Sequence, residues 1–297
     1  MNGVLREIAF VGLGSMGLPM AKNLVKAGFG VRGFDLRESA VRELESVGGR
    51  GAKSARQASE GADAIVLMVV NSAQANNILL DDGSLDALTT GGMVVLAATC
   101  PPNDVRQLAD RVEASGRRFV DAPVSGGVVG ASAGSLTIMV GALAENFTLV
   151  HPLLNALGQK IIHVGEMPGQ GAMAKAVNQL LCGVHLAVAA EAMSLCERLG
   201  IDSGTMLDIV SGSAASSWML RDRGSRMLER DPVVTSAVNI FVKDLGIVLT
   251  SGADAGAALP LSAIAHQMFL AAAGAGSGQA DDSQVIRAYR ALNPQKS

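Results

Sequence analysis

The run Gly12-Leu13-Gly14-Ser15-Met16-Gly17 constrains this chain more than any other feature, because it follows an apolar stretch at 8–11 and opens a helical pattern at 18–27. A strand, a tight glycine turn and a helix in that order build a dinucleotide phosphate site. The first glycine permits the turn, the second lets backbone approach a pyrophosphate, and the third lets helix and strand pack closely. The anion then rests on the free N–H groups of a helix N-terminus. A second strand-like run, 31–34, ends in Asp35, at the spacing where an acid meets the adenosine ribose. The other role open to Asp35 is a cap on the following helix. An acid at the ribose repels a 2′-phosphate, so NAD is expected, and Arg37 two residues on keeps NADP open.

Further apolar or β-branched runs at 64–70, 93–99, 118–124, 135–140 and 160–164 read as buried strands. Helical patterns such as 102–114 and 144–157 lie between them. This alternation predicts an α/β fold, a Rossmann-type doubly wound and mostly parallel sheet. Beyond about Gly165 only helical periodicities remain, at 172–199, 205–211 and 237–253, so an all-α domain follows. The expected division is a dinucleotide-binding domain over 1–166 and a helical substrate and oligomerisation domain over 167–297. Gly169-Gln170-Gly171 reads as a hinge into a long interdomain helix of about 28 residues, roughly 42 Å long. So apolar a helix needs cover on every face, from neighbours or from a second copy, and a homo-oligomer, dimer or tetramer, is expected. The Gly/Ala-rich stretch 271–283 reads as a flexible link to a last helix at 284–292.

Composition removes several classes of function. The 297 residues carry a formal net charge of -3 and no dense Lys/Arg cluster, which disfavours nucleic acid. The apolar stretch 177–190 is interrupted by Asn178, Gln179 and His185, too short and polar for a membrane span. The first residues lack the pattern of a cleaved targeting peptide, and a cytoplasmic protein is expected. Cys100, Cys182 and Cys196 share no CxxC spacing, and His151, His163, His185 and His266 are isolated, so neither disulfide nor metal site is predicted. Trp218 is open to two readings, a wall of the substrate pocket or plain core.

Two segments carry candidate chemistry. In Gly169-Gln-Gly-Ala-Met-Ala-Lys175-Ala-Val-Asn178-Gln179, a lysine near a helix start has Asn178 and Gln179 three and four residues on, on adjacent helix faces. Burial and the helix macrodipole both disfavour an ammonium there, which suits a general acid/base; the alternative is a solvated surface lysine. In Asp121-Ala-Pro-Val-Ser125-Gly126-Gly127, a strand ends in a hydroxyl and two glycines, and consecutive N–H groups form a nest for a small carboxylate or simply a glycine turn.

These motifs, with Phe241-Val-Lys243-Asp244-Leu245, resemble in order and interval the β-hydroxyacid dehydrogenase family, which includes 3-hydroxyisobutyrate, tartronate semialdehyde and threonate dehydrogenases. The resemblance covers nearly the whole chain. It implies Lys175 as catalytic acid/base, Asn178 as a substrate ligand, Ser125, Gly126 and Gly127 as the carboxylate site, and Thr99 and Lys243 as cofactor contacts. The sequence departs from the usual pattern at Gln179, where many members carry Asn, and at Ala98-Thr99-Cys100-Pro101, where Ser-Thr is common. The segments 215–219 and 238–245 resemble the threonate-oxidising branch most. The implied reaction is NAD-dependent oxidation of a short hydroxy acid. A different class, a non-catalytic NAD-binding sensor, would need Gly12–Gly17 and Asp35 but neither Lys175 nor Asn178.

Overall fold

The computed structural model describes residues 5–294. Among the described residues nine strands form one sheet: β1 (Glu7–Val11), β2 (Gly30–Phe34), β3 (Arg50–Gly51), β4 (Ala64–Leu67), β5 (Met93–Leu96), β6 (Arg118–Asp121), β7 (Val124–Ser125), β8 (Leu136–Gly141) and β9 (Gly158–Gly165). Their spatial order is β3-β2-β1-β4-β5-β6-β8-β7, with β9 beside β8. The first six run parallel, each joined to its neighbour in register, for example Ile8 opposite both Val31 and Ala64. β8 pairs antiparallel with β6 and β7, and β9 runs parallel to β8.

The continuous apolar character of the central strands follows from burial on both faces. Side chains alternate across a strand, so Ile8 and Phe10 of β1 enter one core while Ala9 and Val11 enter the other. β4 and β5 repeat this, with Val66 and Val95 on the first side and Ile65 and Val94 on the second. The helices Gly17–Lys26 and Ala144–Asn155 cover one face and Pro102–Ala114 the other, each through its buried side chains. The run expected as one strand at 118–124 is two short ones, β6 and β7. Pro123 between them has no N–H to give a ladder, and its carbonyl accepts from Met139 of β8 instead.

The chain forms two compact units, one ending at Lys175 and the other beginning at Ala176. The second is helical: Ser203–Ser211, Trp218–Leu228, Val238–Asp254, Pro260–Ala272 and Ile286–Leu292 accompany the greater part of a helix that runs Gln170–Leu199. Its core joins Leu186, Met193, Phe241, Leu245 and Phe269. The 30-residue helix is apolar enough to cross a membrane by length and composition, yet half of that stretch is buried inside the protein.

The stretch 271–283 is not a flexible link. Asp281 and Asp282 are 1% and 0% exposed, and they meet Arg226 and Arg223 of the helix Trp218–Leu228 at 2.8 and 2.7 Å. Two acids among small residues look solvated in a sequence, but here they complete a buried ion-pair network in which Asp222 is the other acid paired with both arginines. Removing one member of a buried ion pair leaves the other with an incomplete set of partners, here Arg223 with Asp222 alone. Asp282→Ala is therefore expected to destabilise the helical unit by about 3–5 kcal/mol, read as a lowered midpoint in urea denaturation.

Candidate active site

The glycine loop has the geometry that a pyrophosphate needs. Gly12, just after β1, has φ +93°, and a Cβ there would lie 2.3 Å from the Met68 carbonyl oxygen. A Cβ on Gly17 would lie 1.9 Å from the Gly12 carbonyl oxygen, so helix Gly17–Lys26 can begin there only because that position is bare. Gly14 differs: a Cβ on it would meet nothing within 4 Å, leaving open space beside the backbone between Leu13 and Ser15-Met16. A dinucleotide phosphate fits that combination of rigid neighbours and an open face.

Asp35 follows β2 and reaches back to this loop. Its Oδ2 accepts the Leu13 N–H at 2.7 Å, and its Oδ1 accepts the Arg37 N–H at 2.8 Å and lies 3.2 Å from Arg37 Nε. Arg37 in turn donates to the Leu13 carbonyl at 2.8 Å. The following helix, Glu38–Glu45, is preceded by Arg37, so Asp35 is not its cap. The carboxylate is instead a brace for the loop, beside the edge where a ribose would lie. Thr99, half-buried, and Cys100, buried, follow β5 at the same C-terminal end of the parallel strands, the end at which such sheets bind ligands.

Ser125 ends β7, and the two residues after it have φ +129° and +61°, a backbone only glycine adopts readily. Four residues upstream, Asp121 ends β6 and is wholly buried. Its Oδ2 accepts the N–H groups of Gly169 and Ala172, at 3.0 and 2.8 Å, where the Gln170–Leu199 helix begins. Gly171 sits so close that a Cβ would stand 2.5 Å from the Met139 carbonyl oxygen. Burial pushes the Asp121 carboxyl up to about 7, against the pull of the Ala172, Gly169 and Gly171 N–H groups. Lys175 lies one turn beyond Ala172 and is only 6% exposed, which is not a solvated surface lysine.

In the helical unit, Asn178 and Gln179 begin a buried polar chain. Asn178 Nδ2 donates to Gln179 Oε1 at 2.9 Å, Gln179 Nε2 donates to Asp244 Oδ2 at 2.5 Å, and Asp244 Oδ1 lies 2.6 Å from Lys243 Nζ. Lys243 and Asp244 come from the helix Val238–Asp254. Trp218, 45% exposed with Arg223 6.0 Å from its ring centre, opens its helix and is not core. His163 stacks on Phe147 and His266 meets the Val242 carbonyl; among the described residues no cluster of three or more potential metal ligands occurs.

Four of these participants were not assigned a task by sequence reasoning. Arg37 pairs with Asp35 two positions away, while Asp121 under the helix start and Gln179 with Asp244 as a bridge act through contacts between residues far apart in the chain, up to 65 positions. The one local signal was the presence of Asp121 and Asp244 inside motifs otherwise apolar or glycine-rich.

The family model described as the NAD binding domain of 6-phosphogluconate dehydrogenase matches residues 7–165, and that described as NAD-binding of NADP-dependent 3-hydroxyisobutyrate dehydrogenase matches residues 169–289. The chain is 40% identical over 285 residues to the L-threonate dehydrogenase of Cupriavidus necator, covering 96% of each. It is 36% identical to a 3-hydroxyisobutyrate dehydrogenase of Pseudomonas aeruginosa, covering 96% of this chain and 99% of that one. The crystal structure of 3-hydroxyisobutyrate dehydrogenase from Salmonella typhimurium matches with a TM-score of 0.91 at 38% identity, over 95% of this chain and 99% of that one. With both halves matched and the sheet, glycine loop and long helix in place, the chain belongs to the 3-hydroxyisobutyrate dehydrogenase-like family of NAD(P)-dependent hydroxyacid dehydrogenases, oxidoreductases of CH–OH groups.

Proposed function

We propose that this protein oxidises L-threonate at C2 to 2-oxo-tetronate, with NAD as the hydride acceptor and Lys175 as general acid/base. The observation that carries the reading is a lysine only 6% exposed in the second turn of a helix, with the amide of Asn178 one turn on. The L-threonate dehydrogenase names of relatives at 37–40% identity support the substrate. So does the polar character of this helix segment, where the half-buried Asn178 amide suits contact with a polyhydroxylated acid better than with a methyl-branched one.

In this reading residues 1–166 bind the dinucleotide and residues 167–297 supply substrate contacts and the oligomer interface. The Gly12–Gly17 loop, including Leu13, Ser15 and Met16, receives the pyrophosphate, Asp35 the adenosine ribose, and Thr99 and Lys243 further parts of the cofactor. Ser125, Gly126 and Gly127 hold the substrate carboxylate, and Asn178 orients the substrate. Neutral Lys175 takes the proton of the reacting hydroxyl as charge grows on that oxygen. Bound nicotinamide supplies the hydride acceptor. In the reverse direction the Lys175 ammonium returns the proton to the carbonyl oxygen.

Three measurements test the reading. Lys175→Met is expected to lower kcat for L-threonate by about 100- to 10,000-fold while the NAD dissociation constant stays as in wild type; retained turnover rejects the assignment, and turnover of 3-hydroxyisobutyrate or glycerate in place of threonate rejects the substrate. Asp35→Ala removes the negative charge that faces a 2′-phosphate and is expected to shift the NAD to NADP ratio of kcat/KM toward NADP by at least about tenfold. Val188, Leu195 and Leu199 stand 54–64% exposed along the long helix, and we assign that stripe to a second copy of the chain. Light scattering is expected to give a dimer or tetramer for wild type and a smaller species for Leu195→Glu.

A further inference from the structure

The elements around the proposed site leave one buried ionisable group with no task, the Asp121 carboxyl. It sits at the point where two pieces of that site meet. Upstream of Ser125 by four residues, it belongs to the strand segment that carries the proposed carboxylate nest. Through Oδ2 it also holds Gly169 and Ala172, the start of the helix that carries Lys175 one turn later. Its other oxygen, Oδ1, is buried without a hydrogen-bond partner, an arrangement that costs stability unless something else requires it.

We propose that Asp121 is a positioning residue for the reaction, its carboxylate pinning the first turn of the Gln170–Leu199 helix to the end of β6 and so fixing where Lys175 stands relative to Ser125, Gly126 and Gly127. The inference rests on Lys175 being the acid/base. A proton-transfer group must lie within hydrogen-bond reach of the atom it serves, and a displacement of about 1 Å at a distance from the chemistry is enough to cost on the order of 100-fold. A helix start is the mobile part of a helix, because its first N–H groups lack intrahelical acceptors. Asp121 supplies the acceptor for two of them.

The surroundings of this group set how the pin responds to pH. Leu96 of β5, Gly141 of β8 and the Gly169–Ala172 turn lie against Asp121, and none of them is charged. Lys175 further along the helix and Arg106, whose methylenes pack on Gly169, are nearby ionisable residues, and the helix Pro102–Ala114, β6 and β9 also carry Asp104, Arg118 and His163. Burial is the leading influence, so the folded protein holds the proton more tightly than the unfolded chain, whose carboxyl titrates near 3.9. Stability from this group is therefore complete below about pH 4 and is lost as pH rises through about 7. At neutral pH and above the charge destabilises the fold.

The test compares Asp121→Ala, Asp121→Asn and Lys175→Met in the full-length protein. Asp121→Ala removes the acceptor and is expected to lower kcat for L-threonate about 100-fold, with the NAD dissociation constant unchanged and faster hydrogen exchange confined to peptides spanning 169–175. Asp121→Asn keeps an acceptor oxygen and is expected to restore kcat to within about tenfold of wild type. Its melting temperature relative to wild type is expected to rise between pH 5 and pH 8. Wild-type kcat in Asp121→Ala overturns the proposal, as does unchanged exchange at 169–175. If Asp121→Ala fails to fold, wild-type kcat and exchange in Asp121→Asn, or a melting-temperature difference that falls with pH, overturns it. Retained turnover in Lys175→Met instead overturns the acid/base reading, and the exchange result then still reports on the pin itself.

Discussion

The close approach of helix and sheet beside the end of β6 governs the rest of the site in the first unit. At Gly171 and Gly141 the backbone of the helix start and the backbone of β8 come so near that neither residue has room for a Cβ: one on Gly171 would reach 2.5 Å from the Met139 carbonyl, and one on Gly141 would reach 2.8 Å from the Gly171 nitrogen. Such an approach buries the unsatisfied N–H groups of the helix start, and buried donors without acceptors are expensive. β6 pairs β5 along its length and meets β8 only at Asp121 and Gly141. The Asp121 side chain supplies acceptors from the end of β6. Close packing and the buried carboxylate are thus one arrangement, and each makes sense only with the other.

The same economy runs through the cofactor end of the sheet. Gly12 and Gly17 bring loop, strand and helix together until only hydrogens fit, and Asp35 then braces the loop through the Leu13 N–H. A loop held this way presents its remaining N–H groups without having to rearrange when an anion arrives. Arg37 balances the brace, pairing with Asp35 on one side and the Leu13 carbonyl on the other. The charge of Asp35 is therefore partly balanced by Arg37, and the carboxylate stands mostly out of solvent.

Much of the sheet was legible from the chain because strands buried on both faces have a simple signature: runs such as Ala64–Leu67 and Met93–Leu96 are apolar at every position. Helix Pro102–Ala114 was equally plain, with a proline at its start and one apolar stripe. What the sequence concealed was pairing at long range. The helix Trp218–Leu228 is rich in charge and carries no clear apolar stripe, because its buried face includes Arg223, which is paired with Asp282 and Asp222. Asp281 and Asp282 lie in a Gly/Ala-rich stretch that resembles a linker until their partners are known. The two-residue β3 is too short to leave a pattern at all. In the site, glycine spacing and the isolated Lys175 were visible because their chemistry is local; the contacts of Asp121 and Asp244 were not.

Gln179 shows how a single departure from a family's usual residue is absorbed by its surroundings. Its amide spans two partners, giving Nε2 to Asp244 and taking Nδ2 of Asn178 at Oε1. A carboxamide can do both only when one side is a pure acceptor, and the Asp244 carboxylate, itself held by Lys243, meets that condition. The Asp244 charge thereby sets which way the Gln179 amide faces, and Gln179 Oε1 holds the Asn178 nitrogen together with Cys182 Sγ at 3.5 Å. An asparagine at position 179, one methylene shorter, could not keep both bonds without moving the helix Val238–Asp254 toward its partner. The longer side chain and the buried acid therefore specify each other, and the orientation of Asn178 depends on a residue of another helix, far along the chain.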